Sequence, residues 1–333
     1  MRHSLKRQHG VALMIVLMIV ALVSVLATEM GTRLQLQIQR TANIKDNNQA
    51  YWYGVGAEAF ARKSIQTLIE ETGDKISLSQ PWAQPIAYPL ENGGLEAELK
   101  DLQACFNLNA ILQGESTSTG SNSDSDITEA MAAFHTMLLA LEVDGIDDYT
   151  ADTVRDSLAD WIDSDDNMRP YGAEDSEYES KEFPYLAANG VMASKSELRI
   201  VNGVSANWLN EVMPLVCVIP GVETMAINVN TIEEDNAALL AGLTGLDITQ
   251  AKGVISSRPT DGWDDADDFL NETTIAALDL SDTRKDWFKV TSEYFILHTK
   301  TRYNKATFKL STVFHAEEGA GVSIVKREFG GIK

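Results

Sequence analysis

The stretch DWIDSDDNMRPYGAEDSEY, from Asp160 to Tyr178, sets oxygen donors at chemically useful intervals. With Asp163 as position one, Asp165 and Asn167 fall at positions three and five, and Glu174 at position twelve. Carboxylate and amide oxygens so spaced, closed by a glutamate that can bind through both oxygens, are how a loop gathers the roughly six to eight contacts of a calcium ion. An EF-hand needs glycine at position six, where this chain has Met168, and Pro170 at position eight departs further. The spacing therefore points to a calcium loop of another geometry. A merely solvated acidic loop remains the competing reading in so acidic a chain.

Other chemistry finds little support. The chain has no GxSxG, HExxH, GxxxxGK[ST] or CxxC motif, and its five histidines are scattered, with His3 and His9 near the start. No enzyme activity is expected. LTGLDITQAKGVISSRP (Leu243 to Pro259) is similar to a helix-hairpin-helix, a module that often grips DNA phosphates. Gly245 is present, but Asp247 takes the place of the second glycine. From Gly242 to Leu270, Lys252 and Arg258 are outnumbered by Asp247, Asp261, Asp264, Asp265, Asp267 and Asp268. The electrostatic sign is wrong for nucleic acid, so this segment is expected to pack, not to bind DNA.

The elements that must position the acidic loop begin with the amino terminus. Arg2, Lys6 and Arg7 precede an apolar run from Val11 to Ala27 in which Ser24 is the only polar residue, and Glu29 is the first acid. Seventeen residues at ~1.5 Å each span roughly 25 Å, just short of a ~30 Å hydrocarbon core. Small-x-small cleavage signals near Ala21 to Ala27 are poor, so a retained anchor with its basic side in the cytoplasm fits better than a cleaved secretory signal. No proline occurs between Met1 and Gln80. The helical pattern is expected to run from Val11 to Thr72, with Gly73 as its cap and with Ala57, Phe60, Ala61, Ser64, Ile65, Leu68 and Ile69 as one apolar stripe.

The rest of the chain alternates between strands and helices. WAQPIAYPLENGGLEAELKDLQACFNLN reads as two strands after a turn-rich approach, and GESTSTGSNSDSD (Gly114 to Asp126) as a flexible linker. ITEAMAAFHTMLLALEV and YTADTVRDSLADWIDSDD read as helices, with Met131, Phe134, Leu138 and Leu141 in a core. Thr231 and Glu234 in TIEEDNAALLAGL are spaced as a capping box, and Ser194 to Leu198 reads as a capped helix start. VTSEYFILHTKTRY, ATFKLSTVFHA and GVSIVKREF alternate as strands, with turns at Asn304-Lys305 and Glu318-Gly319. The 333 residues carry a formal charge of −22, and three units more once Arg2, Lys6 and Arg7 are removed. Such acidity disfavours nucleic acid and anionic lipid surfaces as partners.

Gly10, at the border between basic head and apolar run, places the amino terminus in resemblance to a type IV pilin-like leader, which a prepilin peptidase cuts after the glycine. Such leaders usually carry phenylalanine or methionine next and a glutamate at the fifth mature position. Here Val11 and Ile15 stand there. Lack of that glutamate, together with DWIDSD…GAED, PYLAANGVMASKSELRI, FNLN (Phe106 to Asn109) and INVNT (Ile227 to Thr231), resembles the K-type minor pseudopilins of type II secretion.

This resemblance implies an α+β fold: a long amino-terminal helix packed on an antiparallel sheet, with a large inserted all-α domain. The expected parts are a leader at 1–10, a membrane segment at 11–30, helix and sheet at 31–113 and 281–333, a linker at 114–126, and the helical insert at 127–280, with its hairpin-like part at 232–280. It also implies processing between Gly10 and Val11 and calcium held by Asp163, Asp165, Asn167, Glu174 and Asp175, with Asp160 and Asp166 in reserve. The globular part would lie in the periplasm, on a single-pass inner-membrane anchor, with I- and J-type minor pseudopilins, the pseudopilus and the peptidase as partners. In that oxidising compartment Cys105 and Cys217 can pair in only one way; two unpaired core thiols is the alternative. The expected function is to cap and prime the filament for protein export. A tip pilin of a type IV pilus or DNA-uptake filament is the second reading.

Overall fold

The structure is a computed structural model, and it describes residues 10–72, 74–114, 127–317 and 319–330. The leader before Gly10, Gly73, Glu318 and most of the expected linker therefore lie outside the described residues. Helix α1 runs unbroken over Val11–Thr72, about 90 Å at the standard rise. Its first part is exposed along every face from Val11 to Leu26, as an apolar segment meant for lipid would be. It is the one helix among the described residues long and apolar enough to cross a membrane.

Strands β1 (Ile86–Leu90) and β2 (Gly93–Asp101) form a hairpin. The later strands β7 (Tyr294–Tyr303), β8 (Ala306–Glu317) and β9 (Gly321–Phe329) complete an antiparallel sheet in the order β1-β2-β7-β8-β9. Alternation puts Phe295, Leu297, Thr299 and Thr301 of β7 inward, against α1. The contact strip of α1 is narrower than its apolar pattern suggests: Ala50, Gly54, Ala57, Glu58, Ala61 and Ile65 are buried, but Phe60 is 63% exposed. Small residues let the helix backbone approach the sheet, so that Thr301 Oγ1 donates to Ala50 O at 2.7 Å and a side chain at Gly54 would meet Phe308. Phe60 lies off this strip. Buried Glu58 instead receives Arg327 through Nε and NH2 at 2.7 and 2.8 Å, and Thr312 Oγ1 at 2.9 Å.

Between β2 and β7 lies the helical body. It holds the two-residue strands β3 (Phe106–Asn107), β4 (Val216–Cys217), β5 (Ile227–Asn228) and β6 (Phe288–Lys289). Its helices are α2 (Glu129–Ala140), α3 (Asp148–Ile162), α4 (Asp175–Glu179), α5 (Leu209–Val212), α6 (Ala237–Thr244), α7 (Ile248–Ser257), α8 (Ala266–Leu270), α9 (Thr273–Ala276) and α10 (Asp282–Trp287). One hydrophobic core includes Phe106, Phe134, Leu158, Trp208, Leu239 and Trp287. The expected boundaries at 113 and 281 thus shift outward: Phe106 to Ile111 and Trp287 to Val290 belong to this core, not to the sheet. Cys105 and Cys217 form a disulfide with their Cα atoms 5.8 Å apart, fastening the start of the body to its middle.

FNLN and INVN make strands of only two residues because their asparagines do other work. Asn107 donates to Val222 O, Asn109 both donates to and accepts from the Met192 backbone, and Asn230 does the same with Trp263. Gly262, at φ 82°, is needed here, since a Cβ would sit 2.5 Å from the Asn230 side chain. The expected capping box at Thr231 does not form. Its hydroxyl donates instead to the buried Asp101 carboxylate at 2.6 Å, and the following turn starts at Glu233 without a side-chain cap. A buried carboxylate needs donors, whereas the exposed N–H groups of a helix start can be satisfied by water. The helix-hairpin-helix segment is α6 and α7, joined through Gly245 in the left-handed region, and Asp247 with Gln250 forms a capping box on α7. Asp247 is thus a cap where a phosphate-binding hairpin would have glycine.

Asp101, at the end of β2, joins the two parts. Its carboxylate accepts from Ser292 Oγ (2.5 Å), Thr231 Oγ1 (2.6 Å), Gln103 N (2.7 Å) and Asn228 Nδ2 (3.2 Å). Ile76 N, just past α1, donates to Val290 O at 2.8 Å. The helical body therefore docks at the end of α1 and the sheet that is remote from the apolar segment.

Candidate metal centre

Helix α3 ends at Asp163, and Glu174 opens α4, so the acidic loop spans two helix ends. Acidic groups at a helix carboxyl end oppose its dipole. Both Asp160, on the last turn of α3, and Asp163, at its end, sit there against this preference. Arg169 folds back to them: its NH1 donates to Asp160 Oδ1 at 2.8 Å and also to Asp163, and its backbone N donates to Asp160 Oδ2 at 3.2 Å. Gly172 allows this packing, because a Cβ would fall 1.8 Å from Asp160 Oδ2.

Glu174 is the centre of the arrangement. It is 4% exposed, and neither carboxylate oxygen has a hydrogen-bond partner among the described residues. Burial, followed by the charges of Asp160, Asp163, Asp166 and Asp175, pushes its pKa up to about 8. Burial likewise pushes Asp160 and Asp163 up to about 6, with Arg169 opposing the shift. Asp163 Oδ1 and Asn189 Oδ1 are also buried without a hydrogen-bond partner among the described residues. A buried carboxylate with empty oxygens beside four like charges is costly unless a cation offsets it. The donors are all oxygen, which suits a hard dication, so the residues fit the expected group.

The structure places the expected ligands differently. Asp163, Glu174 and Asp175 come together, and Asp175 also accepts from Ala187 N at 2.9 Å. Asp165 lies beside Asp163 but is exposed and accepts from Asn167 N at 2.9 Å. Asn167 contributes that backbone donor and is itself exposed. The reserves Asp160 and Asp166 both lie near enough for their charges to raise the pKa of Glu174. Asn189 and Arg169 are additions. Asn189, at φ 44°, donates to Asp166 Oδ1 at 2.9 Å and to Asp165 O at 3.3 Å, which leaves its own oxygen turned inward. Its distance along the chain hid it from any spacing argument. In the segment after it, Ser194 and Glu197 form a capping box at the capped helix start expected there.

A long helix laid on an antiparallel sheet, carrying a helical body at its far end, defines a pilin-like protein with an inserted domain. Two sequence models described as "Type II secretion system (T2SS), protein K" match residues 104–221 and 227–291. Type II secretion system protein K of Aeromonas hydrophila is 34% identical over 98% of this chain and 99% of its own length. The Klebsiella pneumoniae protein of that description is 33% identical over 97% of each chain. A chain in the crystal structure of the GspK-GspI-GspJ complex from enterotoxigenic Escherichia coli aligns with a TM-score of 0.77 at 29% identity, covering 88% of this chain and all of that one. The chain belongs to the type II secretion system protein K family.

Proposed function

We propose that this chain is the minor pseudopilin at the tip of a type II secretion pseudopilus, where it primes assembly with I- and J-type minor pseudopilins for export across the outer membrane. The observation that carries the reading is the placement of the helical body. It sits at the end of α1 farthest from the apolar segment, held by Asp101, Asn228 and Ser292, so a subunit stacked beyond it would collide. Ile15 supports the same position. With no acid before Glu29, the apolar segment offers no carboxylate to a neighbour ahead of it, and a subunit with nothing ahead needs none. The complex in which the solved relative was crystallised supports the choice of partners.

In this account the chain is held in the inner membrane by residues 11–30, with the globular part in the periplasm, and prepilin peptidase cuts between Gly10 and Val11. Gly10 precedes the first turn of α1, where its carbonyl accepts from Met14 N at 3.3 Å. Calcium binds at Glu174, Asp163 and Asp175 with their acidic neighbours. It cancels the clustered charge and fixes the loop to the 185–200 segment through Asp175 and Asn189. The role is assembly, not catalysis.

Mass spectrometry of the chain from native membranes tests the processing, with an N-methylated Val11 as the expected terminus. An intact Met1 overturns it. The proteins that co-purify test the filament: I- and J-type pseudopilins support the proposal, and a major type IV pilin contradicts it.

A further inference from the structure

A second group of metal-binding side chains lies away from the acidic loop. His135 is on α2, and Asp148 and Asp152 stand four residues apart on one face at the start of α3. His135 Nε2 lies 3.4 Å from Asp148 Oδ1 and 3.3 Å from Asp152 Oδ1. It is sequestered from solvent yet has no hydrogen-bond partner among the described residues. A protonated imidazole serving as a simple ion-pair donor would aim its N–H at one oxygen. This nitrogen is instead almost equidistant from two.

These separations are those of ligands around one small ion. Bonds of about 2.1 Å in a tetrahedron put ligand atoms about 3.4 Å apart. One imidazole nitrogen with two carboxylates selects a transition-metal dication over calcium, which prefers oxygen throughout. We propose that His135, Asp148 and Asp152 form a separate site for a dication of the zinc class, pinning α2 to the first turns of α3. Arg155 acts as its outer partner: NH1 donates to Asp152 Oδ1 at 2.6 Å and Nε to Asp156 Oδ1 at 2.7 Å, which orients the Asp152 carboxylate. Three protein ligands leave one position for water. The acidic loop begins eleven residues beyond Asp152, about 16 Å along the helix, so the two sites fill independently.

The test titrates zinc chloride into the detergent-solubilised full chain, free of any histidine tag and saturated with calcium, followed by calorimetry and by metal analysis after dialysis. The expected result is one zinc equivalent, with affinity falling at least ~100-fold in His135→Gln and in Asp148→Asn and unchanged in His315→Gln. Asp148 is 82% exposed in its side chain, so Asp148→Asn folds whether or not His135→Gln does, and melting curves verify both. Zinc uptake that is absent, or equal in wild type and both variants, overturns the site and leaves only adventitious binding to an acidic surface.

Discussion

Replacing Glu174 with glutamine should change stability with opposite sign depending on calcium. Without the ion, the folded protein at pH 7 keeps Glu174 protonated, because its pKa is pushed up to about 8 from an ordinary 4.5. The unfolded chain gives up that proton freely. Holding it over some 2.5 pH units costs about 3 kcal/mol at ~1.4 kcal/mol per unit. Since the folded state binds the extra proton, stability of the calcium-free protein falls as pH rises from about 4.5 towards 8. Between pH 5 and pH 7 the loss is about 2–3 kcal/mol. Glutamine has no such proton to hold and can donate its amide to the surrounding carboxylates, so Glu174→Gln is more stable than wild type in chelator at pH 7. In calcium the order should reverse, because the variant loses the charged ligand proposed for the centre of the site. Denaturant unfolding at pH 5 and pH 7, with calcium and with chelator, measures all four corners. A variant effect of the same sign and size with and without calcium would refute the reasoning, as would a wild-type protein indifferent to the chelator.

Gly172→Ala should abolish the calcium-dependent stabilisation while leaving the sheet intact, because its Cβ would displace Asp160; calorimetric calcium titration checks this. Reducing Cys105–Cys217 should lower stability by up to about 4–5 kcal/mol, the closure entropy of a loop with sequence separation 112, read from unfolding with and without reductant. Glu58→Gln should loosen α1 from the sheet at a cost of about 1–3 kcal/mol, measured by hydrogen exchange of β8 and β9. Burial raises the pKa of Glu58, but hydrogen bonds from Arg327 and Thr312 outweigh it and hold the carboxyl below its ordinary value. Its contribution is therefore complete above about pH 4.5 and fades as pH falls through the lower folded value, a dependence Glu58→Gln should lack.

Elements with a strong period were legible in the sequence. Helix α1 and strands β7, β8 and β9 lie where the apolar spacing puts them, because each buries one continuous face. The exposed side of Phe60 was not legible, since helical spacing allows a broad stripe and only the sheet's close approach at Gly54 shows how narrow the contact is. Nor was the two-residue length of the strands at FNLN and INVN, whose asparagines bind backbone groups more than thirty residues away. The acidic loop was found by its spacing, yet spacing favoured Asp165 and Asn167 over Asp160 and Asp166. The turn of α3 carries Asp160 inward, where Arg169 folds back onto it, and the charge of Asp166 also reaches Glu174. Asn189 reaches the same place from beyond α4, a closure only the folded chain displays.

In the proposed function a single copy of this chain ends the filament. Pseudopili sheared from secreting cells, labelled with gold-bound antibody against the helical body and viewed by electron microscopy, test it directly. One particle at one end of each filament is the expected result; particles spaced along the shaft, or filaments that form unlabelled at normal frequency in cells lacking this chain, would contradict it.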